Sequence, residues 1–498
     1  MTEAHPIPPA TAVEVSAGEL AERAGHLLAG GARLALVAAH QDPDTIRIVY
    51  LFTSGPPDQR TELHLRTAPD RPAVPSLAAV SFPAGRFERE MHDLYGVQPD
   101  NHPLPRRLVR HPHWPAGWYP MRADAGPRPP LAESEPFPFV TVQGAGVYEI
   151  PVGPVHAGLI EPGHFRFSVV GETILKLKAR LWYVHKGIEK LFEGQTVYSR
   201  VALAERISGD TSAGHALAYS LAVEDALAVA VPARVQRARA ALLELERLHN
   251  HVADLGAICN DVGYGIAHAH TQRIRERLLR LNQATTGHRL LRGGIFPGGV
   301  HLRTVPDPAT VHAVADDIAE IVAIALNQTV VRDRLTGTAV LGLRQAADIG
   351  CLGYVARASG MPFDARTAHP HTHLDNLSTP VHQDGDVLAR FLVRADEIRA
   401  SAALLAGLLP TLTPGPTTAG PQPRHDRPTS GVGIVEGWRG TITHRVEIRP
   451  DGTLARAKIV DPSFFNWPAL PVALADTIVP DFPLTNKSFN LSYAGNDL

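Results

Sequence analysis

The chain has 498 residues, 44% of them hydrophobic and 20% charged, with a formal net charge of −2. That length predicts two or more domains around a sizeable core. The near-zero charge argues against nucleic acid or an anionic membrane surface as a partner, and no apolar run approaches the roughly 18 to 20 residues that span a bilayer.

Six Lys stand against 42 Arg, which reads as coding bias, since either residue serves solubility. No basic-then-apolar leader opens the chain. The expectation is a soluble, cytoplasmic protein docked on a membrane partner. Cys259 and Cys351 are expected to be free, buried thiols.

In chain order, residues 1 to 12 are Pro- and Ala-rich and expected to fray. Residues 15 to 30 show helical spacing, with Leu20, Ala24, Leu27 and Leu28 on one face. ARLALVAAH, TIRIVYLFTS and ELHLRTAP read as strands. FEREMHDLYGVQPDNHPLPRRLVRHPHWPAGWYPMR, residues 87 to 122, is a polar cluster around turns. Glu88, Glu90, Asp93, His102 and Arg106–Arg107 suggest a docking surface of Arg–carboxylate pairs. Residues 123 to 137 form a Pro-rich linker. Residues 138 to 183 read as a sheet.

From 186 to 408 the pattern is helical. Pro232 opens a long helix with a Leu245, Leu248, Val252 and Leu255 stripe, and Arg237, Arg239 and Glu246 off it. Further helices are predicted at 271–289, 308–328 and 385–408, the last stopped by Pro410. Residues 411 to 429 read as a loop, the next two runs as a β-meander, and the end as a short polar tail. GAGVYE at 144 lacks the third glycine of a dinucleotide fingerprint, and no P-loop is present. His369, His371 and His373 alternate, so on a strand they would share one face.

GPVH, EPGHF, GETI, HKGIEKLFEG and ERISGDTSAGH, between Gly153 and His215, carry a more specific signal. They resemble the large subunit shared by membrane-bound group 4 [NiFe] hydrogenases and the forty-nine-kilodalton subunit of respiratory complex I, with EPGHF nearest the formate-hydrogenlyase branch. Residues 87 to 122 resemble the thirty-kilodalton subunit of complex I. The resemblance implies an α+β fold. A thirty-kilodalton-like domain would span 1–122 and a linker 123–137. A forty-nine-kilodalton-like domain would span 138–498, with a small sheet and a long helical bundle. Its kin include NADH dehydrogenases, although this chain shows no NAD motif.

In the hydrogenase branch four cysteines in two CxxC pairs hold nickel and iron, soft sulfur suiting those metals. Here the positions fall on Ser208, Thr211, Ser492 and Gly495. No metal is therefore expected in this chain. In the complex I branch a His and a Tyr approach a quinone headgroup, supported by an Asp. His156 keeps the His and His164 approximates a second. Tyr198 lies one residue beyond the expected Tyr position, Val197, and the Asp falls on Ser208. Glu161 matches a proton-passing carboxylate, and His215, Asp364 and Arg366 match positions around the metal. The implied catalytic set is Glu161, His156 and His164. The implied function is a peripheral subunit of a membrane-bound oxidoreductase on the inner face of the cytoplasmic membrane. It would work beside membrane subunits and a small subunit holding a [4Fe–4S] cluster, with a quinone-like acceptor. The alternative is a non-catalytic scaffold of such an assembly. An active hydrogenase would instead hold stoichiometric nickel.

Overall fold

The computed structural model describes residues 8–132, 135–156, 160–419 and 426–498. The N-terminal module is a four-stranded sheet. Thr11–Glu14 runs parallel to Gln59–Thr67, followed by Ile46–Ser54 and Arg33–Gln41 in antiparallel pairing. The central strand, IRIVYLFTS, is buried along nearly its whole length, as its β-branched and aromatic content favours. Thr11 and Ala12, expected to fray, are held in the edge strand by main-chain pairing; residues 1–7 lie outside the described residues. The Ala17–Ala29 helix follows, with Glu19 accepting from the Ser16 amide and hydroxyl as an N-terminal box does. Leu20 and Ala24 are buried beneath it.

The expected cluster of turns at 87–95 is instead a helix, Phe82–Tyr95. Ser81 caps it by accepting from the Ala84 amide, and Gly96 at φ 76° ends it. Its acids turn inward. Glu88 takes the Leu77 amide, and Asp93 takes the amides of Leu108 and Val109. Glu90 pairs with Lys458 at 2.8 Å. Arg106 and Arg107 donate to the carbonyls of Pro138 and Glu135, not to carboxylates. The docking surface read from sequence is thus internal, because buried carboxylates need donors: neighbouring main-chain amides supply those of Glu88 and Asp93, and Lys458 of the C-terminal half supplies that of Glu90.

Val147–Val152, His164–Val170 and Thr173–Arg180 form an antiparallel meander; residues 138–146 stay outside it. Helices dominate from there. The longest, Ala233–Asp261, carries the expected apolar stripe, but Arg239 and Glu246 are buried too. Arg239 meets Glu224, and Glu246 takes two main-chain amides. A helix packed on all sides hides its polar residues by pairing them. Gly265–Thr286, Pro308–Leu326 and Val387–Leu408 surround it. Gly415–Thr418, within the expected 411–429 loop, pairs with Gly299–Leu302.

Thr429–Gly437, Gly440–Ile448 and Leu454–Val460 form the predicted meander. The Ser212–Ala226 helix lies directly on its first strand. The end of the chain is no polar tail. Pro462–Asn466, Ala469–Ala473, Phe482–Phe489 and Tyr493–Asp497 are helices with buried Phe464, Leu470 and Phe489. One apolar cluster runs from Leu36 and Phe87 of the first module to Phe165, Trp438 and Phe489 of the second. Among the described residues, no helix is long and apolar enough to cross a membrane.

Candidate functional site

A cavity of about 860 Å³ lies between His156, Ile160 and Glu161, the 208–210 turn and the C-terminal segment 482–493. Ile160, Phe165, Leu290, Phe482 and Leu491 give it apolar walls; His156, Glu161, Ser208, Asp210, Arg439 and Ser492 give it polar ones. Mostly apolar walls with a few convergent polar groups are the usual form of a small-molecule site.

The two segments that carry Ser208, Thr211 and Ser492 meet here. Ser208 Oγ lies 2.8 Å from Ser492 Oγ. Ser208 and Thr211 both donate to Asp210 Oδ1, at 3.1 and 3.0 Å. Arg439 grips Asp210 with both Nη atoms, at 2.6 and 2.7 Å, and also donates to the Asn490 carbonyl. Its guanidinium stacks 3.9 Å over the Trp438 ring, and Trp438 Nε1 donates to Thr211. Burial pushes the Asp210 carboxyl up, but Arg439 overrides it and holds the group at about 2. A bidentate ion pair and three hydroxyls thus stand at the positions that the resemblance would give to thiolates. At Gly495 a Cβ would sit 2.6 Å from the Asp461 carboxylate, closer than atoms pack. Asp461 cannot easily move, since it accepts from Ser463 N and lies 3.0 Å from His215 Nε2. These residues do not fit a bimetallic centre.

Below the turn, His215 bridges Asp461 and His444, its Nδ1 3.0 Å from His444 Nε2. Burial, and then His215 itself, holds His444 neutral, well below the ordinary imidazole range. Glu246 accepts the amides of Ala213 and Gly214 at 2.6 and 2.9 Å. Its burial still pushes the carboxyl up to about 8, so it holds a proton at neutral pH. Burial likewise raises Asp497 to about 6.

The sequence-derived residues divide into two groups. His156, Glu161, Ser208 and Ser492 are on the cavity wall. His156 Nε2 is 2.8 Å from the Gly163 carbonyl, and half-buried Glu161 accepts from the Ala494 amide. Thr211 and His215 lie behind the wall, buried. His164 is buried, 3.1 Å from the Gly153 carbonyl, and off the wall. Tyr198 does not line the cavity as expected: it sits in a 3-10 turn, 53% exposed. Asp364 and Arg366 pair with each other at 2.7 Å, and Arg366 with Glu244, in a separate buried ionic network with Arg357, Glu397 and Glu436. His369, His371 and His373 share no strand. His369 pairs with Asp58 and His373 is exposed beside Asp375. Among the described residues no group of His, Cys, Asp and Glu could hold a metal ion. Both cysteines are buried and free.

Sequence reasoning missed Asp210, Arg439, Glu246 and Asp461. Asp210 sits inside the quoted motif, and Trp438–Arg439 between two glycines marks a hairpin tip. Glu246 gave no signal, since its partners are main-chain amides.

Residues 261–431 match the family described as respiratory-chain NADH dehydrogenase, 49 Kd subunit, and residues 13–130 match the 30 Kd subunit family. Formate hydrogenlyase subunit 5 of Escherichia coli is 32% identical over 446 residues, covering 86% of this chain and 77% of that protein. NADH-quinone oxidoreductase subunit 4 of Thermus thermophilus is 30% identical over 368 residues, covering 67% of this chain and 90% of that protein. A chain of the membrane-bound sulfane sulfur reductase, an archaeal respiratory membrane complex, superposes with a TM-score of 0.64 at 25% identity, covering 71% of this chain and 99% of that one. The chain belongs to the complex I 49 kDa and hydrogenase large-subunit family, with a 30 kDa-type module joined ahead of it.

Proposed function

We propose that the chain is a peripheral subunit of a membrane-bound, complex I-like or hydrogenase-related oxidoreductase, and that its cavity takes a quinone-like acceptor instead of a nickel–iron centre. One observation carries this reading: the Arg439–Asp210 pair and the Ser208–Ser492 contact occupy the ground between the two segments. The apolar walls and the volume suit an organic ring system. Reducing a quinone takes two electrons and two protons. The electrons would come from an iron–sulfur cluster on a partner subunit. The protons would pass through Glu161 and His156, the titratable pair on the cavity wall. His156 Nε2 is engaged by the Gly163 carbonyl, leaving Nδ1 to exchange a proton.

The test uses the purified complex. Metal analysis should give far less than one nickel per chain, and a stoichiometric amount would sink the reading. Glu161→Gln keeps the oxygen that accepts from Ala494, so assembly should persist. Quinone reduction should fall by about 10²-fold, the low end for losing a general acid. Unchanged turnover and proton coupling in both Glu161→Gln and His156→Gln would leave the scaffold reading standing.

A further inference from the structure

A second cavity, of about 560 Å³, opens where the N-terminal module meets the Val147–Arg180 meander. Arg86, Arg89, Arg106 and Arg180 line it, joined by Lys176 and Lys178, and among the described residues no acidic side chain is in its wall. Lys178 is matched by Glu149. The four arginines are not matched in this way. Arg86 donates to the Asn496 amide oxygen at 3.3 Å. Arg89 donates to the carbonyls of Arg106 and Arg107, and Arg106 to that of Pro138. Arg180, 3% exposed, donates to the carbonyls of Leu108 and Arg110. All of these acceptors are neutral. The Nε–H groups of Arg86, Arg106 and Arg180 are buried with no acceptor among the described residues.

Several buried arginines elsewhere meet carboxylates: Arg239 meets Glu224, Arg394 meets Asp254, and Arg445 meets Glu62; Arg390, which donates only to the Ser488 hydroxyl and two carbonyls, stands alone, not in a cluster of four. In this cleft aromatic faces take the place of carboxylates. Arg180 and Arg106 stand 4.5 and 5.4 Å from the Phe137 ring centre, and Arg86 5.8 Å from that of Trp182. The carboxylates behind the wall are committed, Glu90 to Lys458 and Asp93 to main-chain amides. Burial, then repulsion by Arg89, brings Arg86 down to about 9. Gathered, desolvated positive charge without a counterion is costly, and guanidinium forks match phosphate oxygens two at a time. Phe82, half-exposed, lies four and seven residues before Arg86 and Arg89 on one helix face. It offers an aromatic surface beside the cations.

We propose that this cleft is a binding site for a phosphate-bearing ligand, its oxyanions held by Arg86, Arg89, Arg106 and Arg180. The phosphate would belong either to a soluble compound or to a phospholipid headgroup. The site is separate from the Ser208–Ser492 cavity, and the proposal does not depend on what that cavity binds.

The full chain would be titrated at low ionic strength with pyrophosphate and with ATP, and separately with phosphatidylcholine vesicles containing phosphatidylglycerol. Binding in the soluble arm, the vesicle arm or both supports the site and identifies the source. Arg86→Gln/Arg106→Gln should raise Kd at least 10-fold, Arg86→Lys/Arg106→Lys should recover part of the loss, and added salt should weaken binding. No binding in either arm, or binding indifferent to the glutamines, overturns the proposal. If the glutamine variant fails to fold, hydrogen exchange on the wild type decides. A bound ligand must slow exchange at 104–110, and no slowing there overturns the site.

Discussion

Glu246 is the residue whose chemistry is furthest from its sequence. A glutamate on a long helix reads as a solvated face, yet this one is buried against two amides and holds a proton. Its folded-state pKa, about 8, lies above the ordinary 4.5. The folded state therefore binds the extra proton, and the stability this gives is full below about pH 4.5 and is lost as pH rises through about 8. The wild type should lose denaturant midpoint between about pH 5 and 8.5, and Glu246→Gln should flatten that fall. An unchanged pH profile would mean that the carboxyl is ionised throughout. Gly495 makes a second prediction at this scale. Gly495→Cys restores one thiol in place, but its Cβ meets the pinned Asp461. The variant should lose about 1–3 kcal/mol, as overpacked sites do, measured by urea unfolding.

The Ser212–Ala226 helix and the Thr429–Gly437 strand lie behind the cavity and adjoin two parts of its wall, the 208–210 turn and Arg439. The helix begins just after the 208–211 turn and carries His215; the strand leads into the Trp438–Arg439 tip. They approach so closely that a Cβ at Gly433 would lie 1.9 Å from the Ala218 carbonyl oxygen. Gly433→Ala must push the helix away and should cost about 3 kcal/mol, read from thermal or urea unfolding. The same displacement should weaken acceptor binding in the cavity without any change to its wall. Full stability in this variant would show that the contact is looser than described. The Phe82–Tyr95 helix teaches a related lesson. Its Glu and Asp residues read in sequence as a docking surface of Arg–carboxylate pairs, but each is buried on a donor from elsewhere in the chain.

At the scale of the whole molecule the two modules are bound into one unit. Lys458–Glu90, Arg445–Glu62 and Arg47–Glu447 cross between them, all largely buried, and Phe87 stacks on Phe464 at 4.5 Å. Removing one side of such a pair leaves a stranded buried charge, so neither module is expected to survive alone. Calorimetry of the full chain should show a single transition, and protease nicking within the Pro-rich 123–137 segment should leave both fragments together on a sizing column. Two well-separated transitions would indicate independent modules instead.

The sequence by itself determined the local elements and carried the family resemblance. Periodicity located the long helices, β-branched runs located the main strands, and the motifs from Gly153 to His215, with Ser492 and Gly495, marked the positions that the resemblance would give to cysteines. These are readable because they depend on residues close together in the chain. Tertiary structure alone decided what stands in that place. Asp210 and Arg439 are 229 residues apart, and nothing local says that a hairpin tip will reach a turn so far away. It also decided that Tyr198 is not in the cavity's wall and that Asp364 and Arg366 serve a separate ionic network. A charged side chain's role follows from which partner removes it from water, and that partner is set by packing.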